Sequence, residues 1–591
     1  MELTFIDIAT FVGFIVIVVG VSLYASRRET SSEDYFLAGR NLTWWLIGVS
    51  LIASNISTEH FVGMAGQAFG RVGLAIASYE WMAAVTLVIV AWWLLPKFLK
   101  IGIYTMPEFL EYRFDSVTRS IMATYLMVAY VVVFLATVLY SGAQGLNGVF
   151  GFPQIFQDKF DMAPEEAMKW ATIAGIWAIG IIAAAYTIYG GLKAVVWSDL
   201  LQGGALLLGG TLVLFFGLKL IGGGTLIPGG GVEGGAILDG WSTFVETNDD
   251  RLHTVLSWND ADVPWLAVFF GGLWIPNLFY WGMNQFITQR TLGARSLAQG
   301  QKGIFLACFL KLLIPFIIVM PGIMAFQMFG DEIMAKAGGD IDKAGEIAYP
   351  HMIAQIMPAH LRGIMLAALA GAVMSSFNSG LNSAATIFTV DLYDKYVEKN
   401  ASPSRQVLVG RIATAVIVVL ACLWAPVISK FEGVFRYIQD LWGFITPGIC
   451  AAFLIGMVVR LAPPAAAKAA LLLGPILYAV SRVPGWVLKN TYEWQKDGEG
   501  AWQVVNKTTG EVADGLTSFV FNYSTMAFLH HMAIIFLILA VVMLIITRWQ
   551  PLAQPVTYPT QDRIDTTPMK GVWLVGTLII LVTAVLYILF W

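Results

Sequence analysis

Long apolar runs alternate with short polar connections from one end of the chain to the other. Taking about 20 apolar residues to cross the hydrocarbon core of a bilayer, the pattern predicts fourteen spans. They lie near 6–25, 43–69, 73–98, 119–147, 168–189, 194–221, 265–289, 301–329, 361–391, 405–427, 434–460, 463–484, 525–547 and 570–591. The second span breaks the pattern. Its stretch 50–66, SLIASNISTEHFVGMAG, holds Ser54, Asn55, Ser57, Thr58, Glu59 and His60 almost in a row. An acidic residue at a helix centre costs about 2.5–3.5 kcal/mol on insertion scales, so such a cluster must meet partners rather than lipid. An interrupted helix is the expected consequence, with backbone carbonyls and amides freed inside the bundle.

The seventh span, five spans later, is interrupted by Trp274, Ile275, Pro276 and Asn277. Units of five spans sit upside down relative to each other. The pattern therefore predicts an inverted repeat of spans 2–6 and 7–11, each half led by a broken helix. The chain divides accordingly. Residues 1–42 form an N-terminal extra span and a loop, 43–222 the first repeat and 223–264 an acidic extracellular loop. Residues 265–460 form the second repeat, and 461–591 the remaining spans with an extracellular insertion at 485–524.

Composition agrees and narrows the class. Of 591 residues, 58% are hydrophobic and 13% charged, where a soluble domain carries about 25% charged residues. An all-α polytopic membrane protein with about 14 transmembrane helices is expected, with no appended soluble domain. Cys308, Cys422 and Cys450 fall in apolar runs without metal-ligand spacing and read as core residues. The first run is followed, not preceded, by basic residues (Arg27, Arg28), so it reads as an anchor rather than a secretory signal.

Lys and Arg concentrate in alternate connections: Arg27, Arg28 and Arg40; Lys97, Lys100, Arg113 and Arg119; Arg290, Arg295 and Lys302; Lys395, Lys399 and Arg405; Arg548, Arg563 and Lys570. The 222–264 connection instead sets seven acidic residues against Arg251. The first set is read as cytoplasmic, and an even span count then places both termini outside. Within the external insertion, 501–513 (AWQVVNKTTGEVA) alternates about a turn-like Lys-Thr-Thr-Gly and predicts a small hairpin.

Besides Glu59, three ionisable groups lie inside spans. Glu80 is roughly 10 Å and Lys311 roughly 15 Å deep at 1.5 Å per residue, and Asp199 lies in the cytoplasmic part of span 6. Glu80 and Lys311 can satisfy each other and still serve a neutral, hydroxyl-rich ligand. Asn55, His60, Asn277, Asn284 and Gln439 add groups that fix hydroxyls, while Tyr79, Tyr280, Trp281 and Phe435 can stack on a ring. Hydrogen bonding between helices is the competing use of each polar group. Ser375 and Ser376 in span 9, with carbonyls freed at the span 2 break, supply oxygens for a small hard cation, and Asp199 could hold that cation on its way to the cytoplasm. The small residues around them equally suit close helix packing. No Walker loop, zinc motif or nucleophile elbow is present, and no enzyme activity is expected.

Several stretches together resemble the sodium/solute symporter family, and within it the sodium/glucose and bacterial sodium/galactose cotransporters. They are EDYFLAGRNLTWWLIGVSLIASNIS (33–57), GLAIASYEWM (73–82), IYGGLKAVVWSDLLQ (188–202), NLFYWGMNQFITQRTL (277–292), SSFNSGLNSAATIFTVDLY (375–393) and FRYIQ (435–439). The resemblance spans about residues 6–460 and implies a leucine-transporter-like core of two inverted five-helix repeats. It implies a sodium site at the carbonyls of Ala53, Ile56 and Ala372 and the hydroxyls of Ser375 and Ser376, with Asp199 on the sodium route. It implies a sugar site at Asn55, His60, Glu80, Asn277, Lys311 and Gln439. Met64, Tyr79 and Phe435 would form the outer gate and Tyr280 the inner one. Two positions depart from the bacterial galactose pattern: His60 stands in place of Gln, as in animal glucose carriers, and Ala83 in place of Ser.

The expectation is a sodium-coupled importer of a glucose- or galactose-like monosaccharide in the plasma membrane, working by alternating access. Its partners are sugar, co-transported sodium and the lipid bilayer, with no nucleic acid and no obligate protein partner. A sodium symporter for another solute (myo-inositol, an amino acid or a carboxylate) and a sugar sensor or channel on the same scaffold remain alternatives.

Overall fold

The computed structural model describes residues 5–27, 31–57, 59–430, 434–496 and 502–591, with the side chains of 148–150, 359–360, 430 and 434–437 outside that description. Among the described residues, eleven helices are long and apolar enough to cross a membrane, or twelve with the bent pair Trp265–Gly282 and Gln285–Leu292. Helices prevail because backbone N–H and C=O groups facing lipid find no water and must bond within their own segment. Leu361–Tyr396 is the most enclosed, with 94% of its apolar window buried. It packs against Phe5–Ala25, Pro164–Ile221 and Pro403–Trp424. Gly371, Ala372, Ser375, Ser376, Ser379 and Gly380 keep its surface low enough for such close approach.

Three breaks shape the bundle. Pro164–Ile221 runs for 58 residues, about 87 Å at 1.5 Å per residue, more than one crossing requires. It turns at Gly191, which sits at φ 50 and ψ −146. A Cβ there would lie 2.2 Å from the Tyr35 carbonyl oxygen, so the turn demands glycine. The Tyr35 hydroxyl donates to the carbonyls of Thr187 and Ile188 at 3.3 and 3.1 Å, serving acceptors that lose helical donors at the turn.

The second break falls where the polar cluster predicts it. Trp44–Asn55 ends at Ile56, whose backbone is extended. A π-helical turn, Glu59–Met64, and a short helix, Ala65–Phe69, continue the chain. The Ser57 hydroxyl accepts from the Glu59 N–H at 3.1 Å, a local bond that competes with continued helix.

The third break corrects the sequence reading. Pro276 sits in the first turn of Trp274–Gly282, where its missing N–H costs nothing, and Asn277 continues that helix. The chain bends instead by 47° between Gly282 and Gln285. Tyr130 holds the bend: its hydroxyl donates to Asn284 Oδ1 and accepts from the Phe286 N–H at 3.2 Å, one of the free donors of the restarted helix. Asn284 is fully buried, its Oδ1 in this bond and its Nδ2 without a partner among the described residues.

The hairpin in the insertion also differs from expectation. Trp502–Asn506 pairs antiparallel with the upstream Tyr492–Lys496. The 501–513 stretch contacts itself by an isolated bridge between Val505 and Val512. The upstream strand offers five cross-strand residue pairs, and such pairs are what stabilises a sheet.

Candidate functional site

Two buried polar networks meet on the Trp44–Asn55 helix. The first gathers groups from four segments. Glu80 lies in the first turn of Ser78–Ile89 and Lys311 near the end of Leu297–Ile314, 3% and 1% exposed. Lys311 Nζ is 2.5 Å from Glu80 Oε2 and also donates to Asn55 Oδ1. The same ammonium sits 4.8 Å from the Trp281 ring centroid, where the π face stabilises a cation. Glu80 Oε1 lies 3.4 Å from His60 Nε2. Asn55 donates its amide to the Tyr280 hydroxyl at 2.9 Å. Asn55, His60, Glu80, Lys311 and Tyr280, each singled out from the sequence, therefore form one connected set. Asn277 lies one turn before Tyr280 on the same helix, and its buried Nδ2 finds no partner among the described residues.

The second network surrounds Asp199, which is fully buried. Its carboxylate accepts from Ser50 Oγ at 2.5 Å, Ser54 Oγ at 3.1 Å and Ser375 Oγ at 2.6 Å. Arg290 closes the set, with Nη2 at 3.1 Å from Asp199 and Nε donating to Ser50 Oγ at 2.6 Å. It also donates to Ser379 Oγ and the Phe286 carbonyl. Sequence reasoning counted Arg290 among the cytoplasmic loop charges; in the structure it is fully buried, because the restarted helix Gln285–Leu292 carries it into the bundle. The Asp199 carboxylate is thus already paired.

Ser376, next to Ser375, donates its hydroxyl to the Ser54 carbonyl at 2.9 Å. This contact fastens the enclosed Leu361–Tyr396 helix to the end of Trp44–Asn55, where the last carbonyls have no helical donors. Ala53, Ile56, Ala372, Ser375 and Ser376 are all buried, at 2% exposure or less.

A cavity of about 1380 Å³ reaches the sequence neighbours of the first network, Glu59 beside His60 and Tyr79 beside Glu80. Its wall includes Glu59, Gln67, Tyr79, Tyr140, Gln439, Asp440 and Arg482. The lining also includes Asp262, from the 223–264 loop, Lys489, from the 485–524 insertion, and Lys336, Asp340, Lys343 and His351. Fitted ligand pockets run to about 300–1,000 Å³, so this volume is an entry vestibule. Of the residues singled out for ligand binding or gating, Tyr79 and Gln439 line it, whereas Asn55, His60, Glu80, Asn277 and Lys311 do not. Met64 is buried at 3% exposure, and the side chain of Phe435 lies outside the described residues. Glu59, beside both networks in the sequence, lines the vestibule wall. Arg482 and its partner Asp440 also line the wall, and no local pattern in the sequence singles them out.

Helices that break inside a polytopic bundle, with polar groups gathered at the breaks, define a secondary transporter architecture. The chain belongs to the sodium:solute symporter family, which matches residues 35–156 and 163–474. It is 41% identical over 473 residues to the sodium/glucose cotransporter of Vibrio parahaemolyticus, covering 77% of this chain and 81% of that protein. It is 32% identical over 474 residues to a sodium/myo-inositol cotransporter of Bos taurus, across 76% of this chain and 63% of that one. Its fold is that of a Na+-coupled sialic acid symporter solved in a substrate-bound, outward-open state. That likeness has a TM-score of 0.70 at 20% identity and covers 94% of this chain and all of the other. Both networks fall inside the family-matched segments.

Proposed function

We propose that the protein imports a monosaccharide, glucose- or galactose-like, together with sodium. The observation that carries this reading is the juxtaposition of Glu80, Lys311, Asn55 and His60, with Glu59 and Tyr79, next in sequence to two of them, lining the vestibule. A neutral polyol can exchange hydrogen bonds with every member of that set without bringing in a charge. Asn277 Nδ2, a buried donor with no partner, is a further group for a hydroxyl to satisfy, since leaving such a donor unmet costs about 1–3 kcal/mol. Gln439 and Tyr79 contribute from the wall above. Arg482 also lines the vestibule, but Asp440 takes its charge, which leaves no free guanidinium to clamp a carboxylate substrate.

Sodium sits at the carbonyls of Ala53, Ile56 and Ala372 and the hydroxyls of Ser375 and Ser376. The contact of Ser376 with the Ser54 carbonyl supports this placement. Arg290 holds Asp199 beneath the site, on the sodium route. Sodium closes the break between the Trp44–Asn55 and Leu361–Tyr396 helices, and sugar then binds on the other side of that same break. Met64, Tyr79 and Phe435 shut above it, and Tyr280 moves away from Asn55 to release sugar inward. One sodium charge moving down about 100 mV is worth roughly 2.3 kcal/mol, enough for roughly fiftyfold accumulation.

The finer architecture follows the same reading. Counting Pro164–Ile221 as two spans about Gly191, the bent pair as one and the interrupted 44–69 stretch as one brings the eleven long helices to fourteen. Spans 2–6 and 7–11 are the inverted repeats, at 43–222 and 265–460, and the breaks after Asn55 and at 283–284 support that pairing. The plasma membrane is the site of action, with the vestibule mouth and both termini outside. The chief competing cargo is myo-inositol, favoured by the bovine relative, and a panel of unlabelled sugars and polyols competing with labelled glucose uptake into proteoliposomes ranks them. Concentrative uptake that needs an inward sodium gradient is expected. Sugar binding without accumulation would identify a sensor or channel instead.

A further inference from the structure

We infer that Arg482, outside the family-matched segments, is a positioning residue for sugar affinity that acts through Asp440 on the neighbouring Gln439. This rests on the reading of Gln439 as a sugar contact. The Val434–Val458 helix carries Pro447 in its interior. A proline removes one helical hydrogen bond and crowds the preceding turn, so the half of the helix bearing Gln439 needs tertiary support to keep its direction.

Arg482 supplies that support from the next helix, Pro464–Leu488. Its Nη2 donates to both Asp440 oxygens, at 2.9 and 3.1 Å. Its Nη1 donates to the carbonyls of Ser524 and Met526, both at 3.0 Å. These carbonyls belong to the end of the external insertion, at the close of helix Gly515–Thr525. The Tyr478 hydroxyl adds a bond to Asp440 Oδ1 at 3.3 Å. Its ring lies so near Gly443 that a Cβ there would come within 2.1 Å of it. Arg482 and Asp440 are 6% and 7% exposed, and a buried, hydrogen-bonded charge pair of this kind fixes geometry more firmly than a surface one. The guanidinium therefore staples three elements at one point of the vestibule wall, one residue from Gln439. The insertion gains a role: it holds the outer half of the helix that bears a sugar ligand.

The test measures labelled-glucose binding to the purified protein in saturating sodium, which needs no turnover. Asp440→Asn, and the neutral pair Asp440→Asn with Arg482→Met, are each expected to weaken sugar affinity about tenfold. Half-saturation by sodium should stay within about twofold, and Arg482→Lys should keep only part of the affinity, because the charge is kept but the bidentate fork is lost. Added to Gln439→Ala, the neutral pair should cost nothing further, since the staple acts only through that residue. The pair removes both charges together and leaves no lone buried ion, so it is the variant that decides should a single one misfold. Sugar affinity unchanged in the neutral pair, or losses that add to that of Gln439→Ala, would overturn the inference. A wild type that binds none of glucose, galactose or myo-inositol would instead overturn the substrate reading beneath it.

Discussion

The two buried networks share the Trp44–Asn55 helix and one design, an acid facing a base, yet they differ in how completely they are closed. Around Asp199, three serine hydroxyls and Arg290 satisfy the carboxylate, and the guanidinium also donates to Ser379 and a backbone carbonyl. Neither residue lines the vestibule. Around Glu80, the pair with Lys311 is as tight, but Asn277 Nδ2 finds no partner among the described residues, and Glu59 and Tyr79, next in sequence to His60 and Glu80, line the cavity of about 1380 Å³. Burial of an ion pair alone thus says little about role.

The largest effect expected from this contrast is on transport. Glu80→Ala or Lys311→Ala should cut sugar uptake by about 100-fold or more, since each leaves a buried charge unpaired at about 3–5 kcal/mol. Near-normal uptake by either variant would mean the site is misplaced. Stability should separate the networks next. Arg290→Met is expected to lower the unfolding midpoint more than Lys311→Met, because the Arg290 guanidinium bonds Asp199, Ser50, Ser379 and the Phe286 carbonyl, whereas the Lys311 ammonium bonds Glu80 and Asn55. Equal or inverted losses in thermal melts of the detergent-purified protein would erase the distinction. A smaller effect belongs to the seam between them. Ser376→Ala should weaken sodium activation about tenfold while the protein stays folded, and an unaltered sodium dependence would move the cation away from this helix.

The smallest effect lies at the mouth. Arg71 bonds Asp260 and Asp262 at 2.5 and 2.7 Å but is 59% exposed. Such a pair is worth at most about 1 kcal/mol. Burial pushes the Asp260 carboxyl up, but hydrogen bonds from Arg71 and from the backbone N–H groups of Val263 and Asp262 outweigh it and leave the group below its ordinary value. A depressed carboxylate stabilises the fold above its unfolded value, about pH 4, and that gain is lost as pH falls further. Arg71→Ala should therefore change melting by a small amount at neutral pH and flatten its decline on the acid side. An unchanged acid limb would show that the pair contributes nothing.

What the sequence disclosed and what it hid follow from the range of the signal. The break after Asn55 was legible because six polar residues within seven positions cannot face lipid. Glu80, Lys311 and Asp199 were legible for the same reason. Arg290 was not: it follows an apolar run, as a loop cation does, and only the turn at Met283 and Asn284 sends it back into the bundle. The position of that turn was masked by Pro276, a stronger local signal that happens to fall in a helix's first turn, where it does no harm. Arg482 and the strand partner Tyr492–Lys496 were hidden because their contacts join segments that no local periodicity links. Hydropathy reports where a side chain cannot be; it does not report which of several buried partners it finds.

The central claim is that one interrupted helix end serves both cargoes, with Ala53 and Ile56 toward sodium and Asn55 toward sugar. Coupling between two ligands is reciprocal, so labelled-glucose affinity of the purified protein, titrated against sodium at constant ionic strength, measures it directly. The account predicts that sodium tightens glucose binding in the wild type by about tenfold or more, and that Ser376→Ala abolishes most of this gain while leaving weak glucose binding in place. Glucose affinity that is the same in sodium and in potassium would contradict it.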